Sequence, residues 1–132
     1  MLKTIVINLF KTFIFSLIVS IAVSCLVYAI QMKGHDYAKT VPAIVSGMFY
    51  LNGILLIMSV PAVFTINPSI WPNPAWRLFL FFAGPLAFII TNLLTPSGKT
   101  NTLVYTVTGI VFFVIHIIFY IKLTKKISGQ QR

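Results

Sequence analysis

Residues 12–30 read TFIFSLIVSIAVSCLVYAI, an apolar run interrupted mainly by small hydroxyl side chains. The run has 19 residues, close to the roughly 20 that a helix needs to cross about 30 Å of hydrocarbon. It therefore predicts a transmembrane helix. Polar residues recur at a spacing of four in this run and just before it, and we call them the polar ladder: Asn8, Thr12, Ser16, Ser20, Ser24 and Tyr28.

The spacing of the polar ladder predicts a surface for helix packing. Positions four apart lie on one face of a helix, and small hydroxyl residues allow a second helix to approach closely in lipid. The ladder nevertheless drifts by about 40° per step, and by about 200° over its length. We therefore predict that the packing seam is limited to Ser16, Ser20 and Ser24. Asn8 and Tyr28 are expected at the two membrane interfaces, so Ser20→Leu should disrupt packing whereas Asn8→Leu should have little effect.

The composition extends this conclusion to the whole chain. Of its 132 residues, 58% are hydrophobic and 8% are charged, whereas a soluble domain carries roughly 25% charged residues. Apolar runs with short connections leave no room for a soluble domain of useful size. We predict an all-α integral membrane protein, a four-transmembrane-helix bundle that forms a single membrane domain over residues 1–132.

Three further apolar runs follow the first, so that the predicted spans are residues 12–30, 41–66, 76–94 and 102–121. Pro42 falls in the first turn of the second span, where proline is tolerated, and Pro61 is expected to kink its far end. Residues 67–75 read NPSIWPNPA, and their prolines exclude a helix. Residues 31–40 and 95–101 are the other two predicted loops.

The basic residues predict the orientation of the bundle. An even number of spans places both termini on one side, and that side holds seven basic residues: Lys3, Lys11, Arg77, Lys122, Lys125, Lys126 and Arg132. The opposite side holds three: Lys33, Lys39 and Lys99. Because cytoplasmic loops carry the excess of Lys and Arg, we expect both termini in the cytoplasm. The small size and short loops indicate a multi-pass protein of a bacterial inner membrane.

The net charge of +9 also raises nucleic acid as a partner. Nucleic-acid binders carry dense basic patches with interleaved aromatic residues, whereas the basic residues here are spread over span ends and loops. The expected partner is the lipid bilayer and not nucleic acid. The basic C-terminal residues are expected near anionic headgroups, where each charge contributes about 1 kcal/mol of attraction.

The first span allows one other interpretation. Basic residues followed by an apolar run describe a signal peptide, and residues 21–25, IAVSC, fit a lipoprotein cleavage site before Cys25. The run continues beyond Cys25 as LVYAI, whereas a cleaved lipoprotein usually turns polar there. We therefore expect the first helix to be retained.

Two polar residues inside the predicted spans are candidates for a specific role. Asn52 falls near the centre of the second span, where its amide needs a partner. The hydroxyls of the polar ladder, Thr106 and Thr108 are available to it. His116 falls within the fourth span and is expected to bond to a neighbouring helix, although an ionisable residue in a span is also a functional candidate. Lining of a substrate path by Asn52, and proton, ligand or metal handling by His116, are the alternatives.

The third predicted span carries a second set of small residues. Ala83, Ala87 and Thr91 are spaced by four and predict another packing seam, either against the first seam or against another chain. Trp71 and Trp76 flank the proline-rich turn. Because indole rings favour the membrane–water interface, we predict that both tryptophans are interface anchors.

The residues that carry most enzyme chemistry are scarce. The chain has no glutamate, and its one aspartate, Asp36, stands beside His35 in the first loop. Paired carboxylates for acid–base catalysis are therefore impossible within one chain, and the predicted topology separates His116 from both Asp36 and Cys25. We predict no catalytic residues, no metal site and no cofactor.

No motif in the sequence identifies a family. The packing seams and the scarcity of catalytic groups favour a small non-enzymatic membrane protein that acts through helix–helix contacts. It would be a subunit, accessory, regulatory or protective (immunity-like) factor of a membrane complex, in a homo- or hetero-oligomer joined by transmembrane helices. The alternatives are an oligomeric transporter or channel for a neutral or weakly charged small solute, and a membrane enzyme that acts on lipid or quinone.

Overall fold

The computed structural model describes residues 2–31, 41–95 and 99–130, and every regular element in these ranges is helical. Four α-helices follow one another: α1 (Leu2–Gln31), α2 (Val41–Met58), α3 (Pro74–Leu94) and α4 (Lys99–Gln130). A 3₁₀ segment, Val60–Ile66, continues α2. The stretches long and apolar enough to cross a membrane are Leu2–Ile30, Val41–Ile66, Pro74–Leu94 and Leu103–Gly129. The prediction of an all-helical chain with four such helices is confirmed for the described ranges.

The first and last helices are longer than the predicted spans. α1 begins at Leu2, ahead of the span predicted from residue 12, and α4 continues to Gln130, past the predicted end at residue 121. Lysine is a good helix former, so the basic ends continue the helices. α4 also begins at Lys99, so the loop predicted at residues 95–101 is shorter than expected. Most of the loop predicted at residues 31–40, including His35 and Asp36, lies outside the described residues.

The second apolar stretch changes its helix type near Pro61. α2 ends at Met58, and the backbone N–H of Ser59 donates to the carbonyl oxygens of both Leu55 and Leu56 at 3.0 Å. Pro61 has no N–H with which to continue the α-helical ladder, and the chain tightens into the 3₁₀ segment. The kink predicted at Pro61 takes the form of this change in geometry.

Two asparagines organise the turn between the 3₁₀ segment and α3. The Asn67 side chain accepts from the backbone N–H two residues later at 2.9 Å. The Asn73 side chain accepts from the Ala75 N–H at 3.0 Å and caps α3. Pro74 occupies the first turn of α3, where a missing N–H is of no consequence. The prediction that residues 67–75 are entirely non-helical is therefore wrong for the last two of them.

α4 packs against both α1 and α3, and α2 packs beside α1. One group of buried apolar side chains surrounds the end of the bundle where the first turns of α1 meet the last turns of α4: Ile5, Leu9, Ala62, Trp71, Phe81, Tyr120, Leu123 and Ile127. We call this the terminal end. A second, smaller group joins α2 to α4: Ile44, Met48, Leu51 and Val104.

Candidate functional site

The polar ladder of α1 is buried along almost its whole length. Tyr28 is half-buried, and the other members are buried: Asn8, Thr12, Ser16, Ser20 and Ser24. Large apolar side chains of the same helix, such as Phe10 and Ile18, are about 60% exposed. α1 thus turns its polar face inward and its apolar face outward, an arrangement compatible with a membrane helix whose polar groups find their partners within the protein.

The first part of the ladder faces α4. The Asn8 side-chain amide donates to the Phe119 carbonyl oxygen at 2.9 Å, and Asn8 is only 7% exposed. Its own amide oxygen is buried without a hydrogen-bond partner among the described residues. The expectation that Asn8 lies outside the packing seam is therefore wrong. The reason is that α1 continues to Leu2 and packs against α4 over these turns, which encloses Asn8 between two helices.

The middle of the ladder faces α2. Ser16 donates to the side-chain oxygen of Asn52 at 2.5 Å, and the amide nitrogen of Asn52 donates to the Met48 carbonyl oxygen at 2.8 Å. Asn52 is fully buried, and both ends of its side chain are bonded. Of the partners that the sequence made available to Asn52, the structure supplies a hydroxyl of the polar ladder.

Two of the ladder hydroxyls bond within α1. Thr12 donates to the Asn8 carbonyl oxygen at 3.0 Å, and Ser20 donates to the Ser16 carbonyl oxygen at 2.6 Å. Such bonds satisfy a hydroxyl without a second helix. The interhelical partner of the ladder therefore changes from α4 at Asn8 to α2 at Ser16, in keeping with the drift of a four-residue spacing around a helix.

A methionine sulfur brings three helices together near the other end of the ladder. The Met48 sulfur of α2 lies 3.2 Å from the Ser24 hydroxyl of α1 and 3.3 Å from the Thr108 hydroxyl of α4. Thr108 also donates to the Val104 carbonyl oxygen at 2.7 Å, the better acceptor, so its contact with sulfur is the weaker one. The sequence carries no signal for this junction, because methionine in an apolar run is typical of simple packing.

His116 of α4 bonds to α3 at the place where a proline interrupts that helix. The Nε2 atom of His116 lies 2.9 Å from the Phe81 carbonyl oxygen. In an α-helix this carbonyl accepts from the N–H four residues later, and that residue, Pro85, has none. A carbonyl oxygen only accepts, so Nε2 carries the ring proton. His116 therefore donates to a carbonyl that lacks its usual helical donor, through the interhelical bond expected from the sequence.

The rest of the His116 ring is enclosed by aromatic side chains. Its centre lies 5.6 Å from the Phe81 ring, 5.2 Å from the Phe82 ring and 5.8 Å from the Phe112 ring. The Nδ1 atom is buried and has no partner in the described part of the chain. Within the same ranges, no group of three or more His, Cys, Asp or Glu residues is placed to hold a metal ion. The ring is thus held by one hydrogen bond and by aromatic packing.

The small residues predicted as the seam of α3 lie toward its outer side. Ala83 is half-buried, and Ala87 and Thr91 are exposed. Ala83 and Ala87 line an apolar groove of about 760 Å³ between α3 and α4. The groove is completed by larger side chains: Leu78, Phe79, Phe82, Leu86, Ile90, Phe113, Ile117, Tyr120 and Ile121. Of the two arrangements expected from the sequence, packing of this seam against the seam of α1 is not found.

Two glycines lie where neighbouring helices approach closely. A methyl group on Gly84 would overlap the Met58 carbonyl at the end of α2, whereas the corresponding position at Gly53 has no atom within 4 Å. A methyl group on Gly109 of α4 would come within 2.9 Å of the Ile89 side chain of α3. Gly84, rather than the alanines near it, is the small residue at which α3 meets α2.

Arg77, near the start of α3, closes the terminal end of the bundle. Its guanidinium donates to the Tyr120 hydroxyl at 2.8 Å and to the Trp71 carbonyl oxygen at 3.0 Å. The guanidinium carbon also lies 4.9 Å from the centre of the Trp71 ring, within the range of a cation–π contact. Of the two predicted interface anchors, Trp71 is buried beneath Arg77 and Trp76 is 57% exposed.

Comparison of the chain with known protein families, with curated proteins and with solved structures finds no match. The function is therefore inferred from the surfaces that the fold creates. Two of them matter most, the apolar groove between α3 and α4 and a lysine-lined pocket at the terminal end.

Proposed function

We propose that this chain is a small non-enzymatic integral membrane protein that acts through helix–helix contacts. It would serve as a subunit, accessory, regulatory or protective (immunity-like) factor of a membrane complex. The supporting observation is the different placement of its two sets of small residues. The serines of α1 are buried inside the bundle, whereas Ala83 and Ala87 of α3 line a groove on its outside.

The groove suits a transmembrane helix of another polypeptide. Its α3 side runs from Leu78 to Ile90, roughly 18 Å at 1.5 Å per residue, which is more than half of a hydrocarbon core of about 30 Å. The side chains of Ala83 and Ala87 are small and project little from α3, so that a helix backbone can approach closely. In lipid, where no hydrophobic effect drives helices together, such close packing is the main source of attraction between them.

We further propose that the protein is a multi-pass component of a bacterial inner membrane with both termini in the cytoplasm. Seven of the ten Lys and Arg residues lie near the termini or next to the middle connection of the chain, and an excess of such residues is typical of the cytoplasmic side. Four helices of suitable length and hydropathy support the multi-pass part of this proposal.

Photo-crosslinking in the native membrane tests the groove. A photoreactive residue is placed at Ala87 and, as a matched control, at Ile57, which is 70% exposed on α2. We expect a protein adduct from position 87 and none from position 57. The mass of the adduct distinguishes a second copy of this 14.8 kDa chain from a different partner.

A second variant makes this experiment decisive. Ala83→Phe adds bulk to the wall of the groove and should abolish the adduct from position 87. Adducts to lipid alone at both positions, or a protein adduct that survives Ala83→Phe, would contradict the proposal. The first result would show that the groove faces the bilayer, and the second that the adduct forms without occupation of the groove.

The transporter or channel alternative would require Asn52 to contact solute. Asn52 is fully buried, and both ends of its side chain are bonded within the bundle. This arrangement favours a packing role, and Asn52→Leu separates the two functions.

A further inference from the structure

A pocket at the terminal end of the bundle concentrates positive charge. It is a cavity of about 400 Å³ between the first turns of α1 and the last turns of α4. Four lysines line it, two from each helix: Lys3, Lys11, Lys122 and Lys126. The rest of the lining consists of two polar residues, Thr4 and Asn8, and three apolar ones, Ile7, Phe119 and Leu123.

These lysines have no acidic partner in the described part of the chain. The only acidic residue of the protein, Asp36, belongs to the segment that follows the opposite end of α1. Four like charges around one cavity repel one another and create a positive potential within it. An anion from outside the protein is the group that would neutralise them.

The pocket continues into an apolar surface toward the middle of the helices. Phe15 of α1 and Phe119 of α4 are in contact, with ring centres 5.4 Å apart. Phe15 is 52% exposed, and Ile7, in the wall of the pocket, is 44% exposed. The Lys122 ammonium lies 5.6 Å from the centre of the Phe119 ring. A lysine-lined pocket next to exposed apolar side chains suits a phosphate that carries acyl chains better than it suits a free phosphate ion.

We propose that this pocket binds the phosphate group of an anionic membrane phospholipid between α1 and α4. The lysine ammonium groups and the Thr4 hydroxyl donate to the phosphate oxygens, and an acyl chain follows the strip formed by Phe15 and Phe119. Basic pockets between transmembrane helices are suited to such headgroups. The site differs from diffuse attraction to basic helix ends because lysines of two helices converge on one cavity. It is independent of the helix partner proposed above.

Lipid titration of the full chain tests the ligand class. The protein is purified in a neutral detergent and titrated with phosphatidylglycerol, phosphatidylcholine and glycerol 3-phosphate, and binding is followed by native mass spectrometry. We expect one phosphatidylglycerol to bind at least about tenfold more tightly than either other ligand, since only it combines net negative charge with acyl chains. Equal binding of phosphatidylcholine would overturn the role of charge, and equal binding of glycerol 3-phosphate would overturn the assignment to a lipid.

Two neighbouring lysines of α4 test the position of the site. Both side chains are exposed, but Lys122 lines the pocket and Lys125 lines a different surface depression. Lys122→Gln should weaken phosphatidylglycerol binding about fivefold, from about 1 kcal/mol per charge, and Lys122→Arg should restore it. Lys125→Gln, with the same loss of charge, should change it less than about twofold. Equal losses from Lys122→Gln and Lys125→Gln would mean diffuse attraction and would overturn the pocket.

Discussion

The Nε2 atom of His116 on α4 lies 2.9 Å from the Phe81 carbonyl oxygen on α3, the carbonyl that Pro85 leaves without its helical partner. In hydrocarbon an unsatisfied backbone group costs several kcal/mol. A proline within a transmembrane helix is therefore tolerated when a neighbouring helix supplies the missing donor. His116 and Pro85, which are far apart in the sequence, form one structural unit.

Replacement of His116 should therefore destabilise the protein less when Pro85 is also replaced. His116→Leu should lower the free energy of unfolding by about 1–2 kcal/mol, because the Phe81 carbonyl oxygen loses the donor that His116 supplies. In a Pro85→Ala background, the new N–H at position 85 can bond to the Phe81 carbonyl oxygen. In that background His116→Leu should lower the free energy of unfolding by clearly less than it does in the wild-type protein. Reversible unfolding in mixed micelles measures both differences.

A threonine on α4 serves as the control for this cycle. The Thr108 hydroxyl bonds to Val104 and contacts Met48, and neither residue belongs to α3. Thr108→Val should lower the free energy of unfolding by the same amount with and without Pro85→Ala. Equal losses from His116→Leu in both backgrounds would contradict the pairing of His116 with the carbonyl freed by proline.

Neighbouring serines of the polar ladder should differ in their contribution to stability. Ser16→Ala removes a bond between α1 and α2 and should lower the free energy of unfolding by about 0.5–1.5 kcal/mol. Ser20→Ala removes a bond within α1 and should lower it by less than about 0.5 kcal/mol, since the carbonyl acceptor keeps its backbone donor. The same unfolding measurement ranks the two variants. A larger loss of stability from Ser20→Ala would contradict the assignment of Ser16 to the contact with α2 and of Ser20 to a bond within α1.

Replacement of Asn52 separates the proposed function from the transporter alternative. Leucine has the same branched shape as asparagine but leaves the Ser16 hydroxyl without its acceptor, so Asn52→Leu should lower the free energy of unfolding by about 1–3 kcal/mol. Under the proposed function it should also reduce the photo-crosslinked adduct from position 87. Lost solute flux in vesicles with unchanged stability and assembly would instead favour the transporter.

Two glycines should respond in opposite ways to the same substitution. Gly84→Ala places a methyl group against the Met58 carbonyl, and the shift needed between α3 and α2 should lower the free energy of unfolding by about 1–3 kcal/mol. Gly53→Ala enters open space and should be neutral or raise it by up to about 1 kcal/mol through helix propensity. Similar behaviour of both variants would mean that α3 does not approach α2 as closely as described.

Asn8→Leu tests the revised position of this residue. Because Asn8 is buried and donates to Phe119, its loss should lower the free energy of unfolding by about 1 kcal/mol. Phe10→Leu, at a position 59% exposed on the same helix, is the control and should change it by less than about 0.5 kcal/mol. Both variants are measured in neutral detergent without anionic lipid. Unchanged stability of Asn8→Leu would contradict a packing role for Asn8 and would favour the expected position at the membrane interface.

The helices can be read from the sequence alone. A helix that can cross a hydrocarbon core needs a minimum length and an apolar composition. Four helices of this kind can be read from local sequence, and so can the change of geometry at Pro61. It also predicted that Asn52 and His116 would bond to other helices, because polar groups in such segments need partners within the protein.

Which helix surfaces meet becomes clear only from the packing of the bundle. The rotation of α1 against α4 and α2 gives Asn8 and Ser16 different helix partners, and the relative positions of α3 and α4 bring His116 to Phe81. Where α3 meets α2, Gly84 lies against the Met58 carbonyl, whereas Ala87 is exposed, although both are small residues of one helix. Local sequence cannot encode these choices, because all four helices are apolar around most of their circumference. The rotation of each helix about its own axis, and its position along that axis, are set by close packing between helices, which depends on many contacts together.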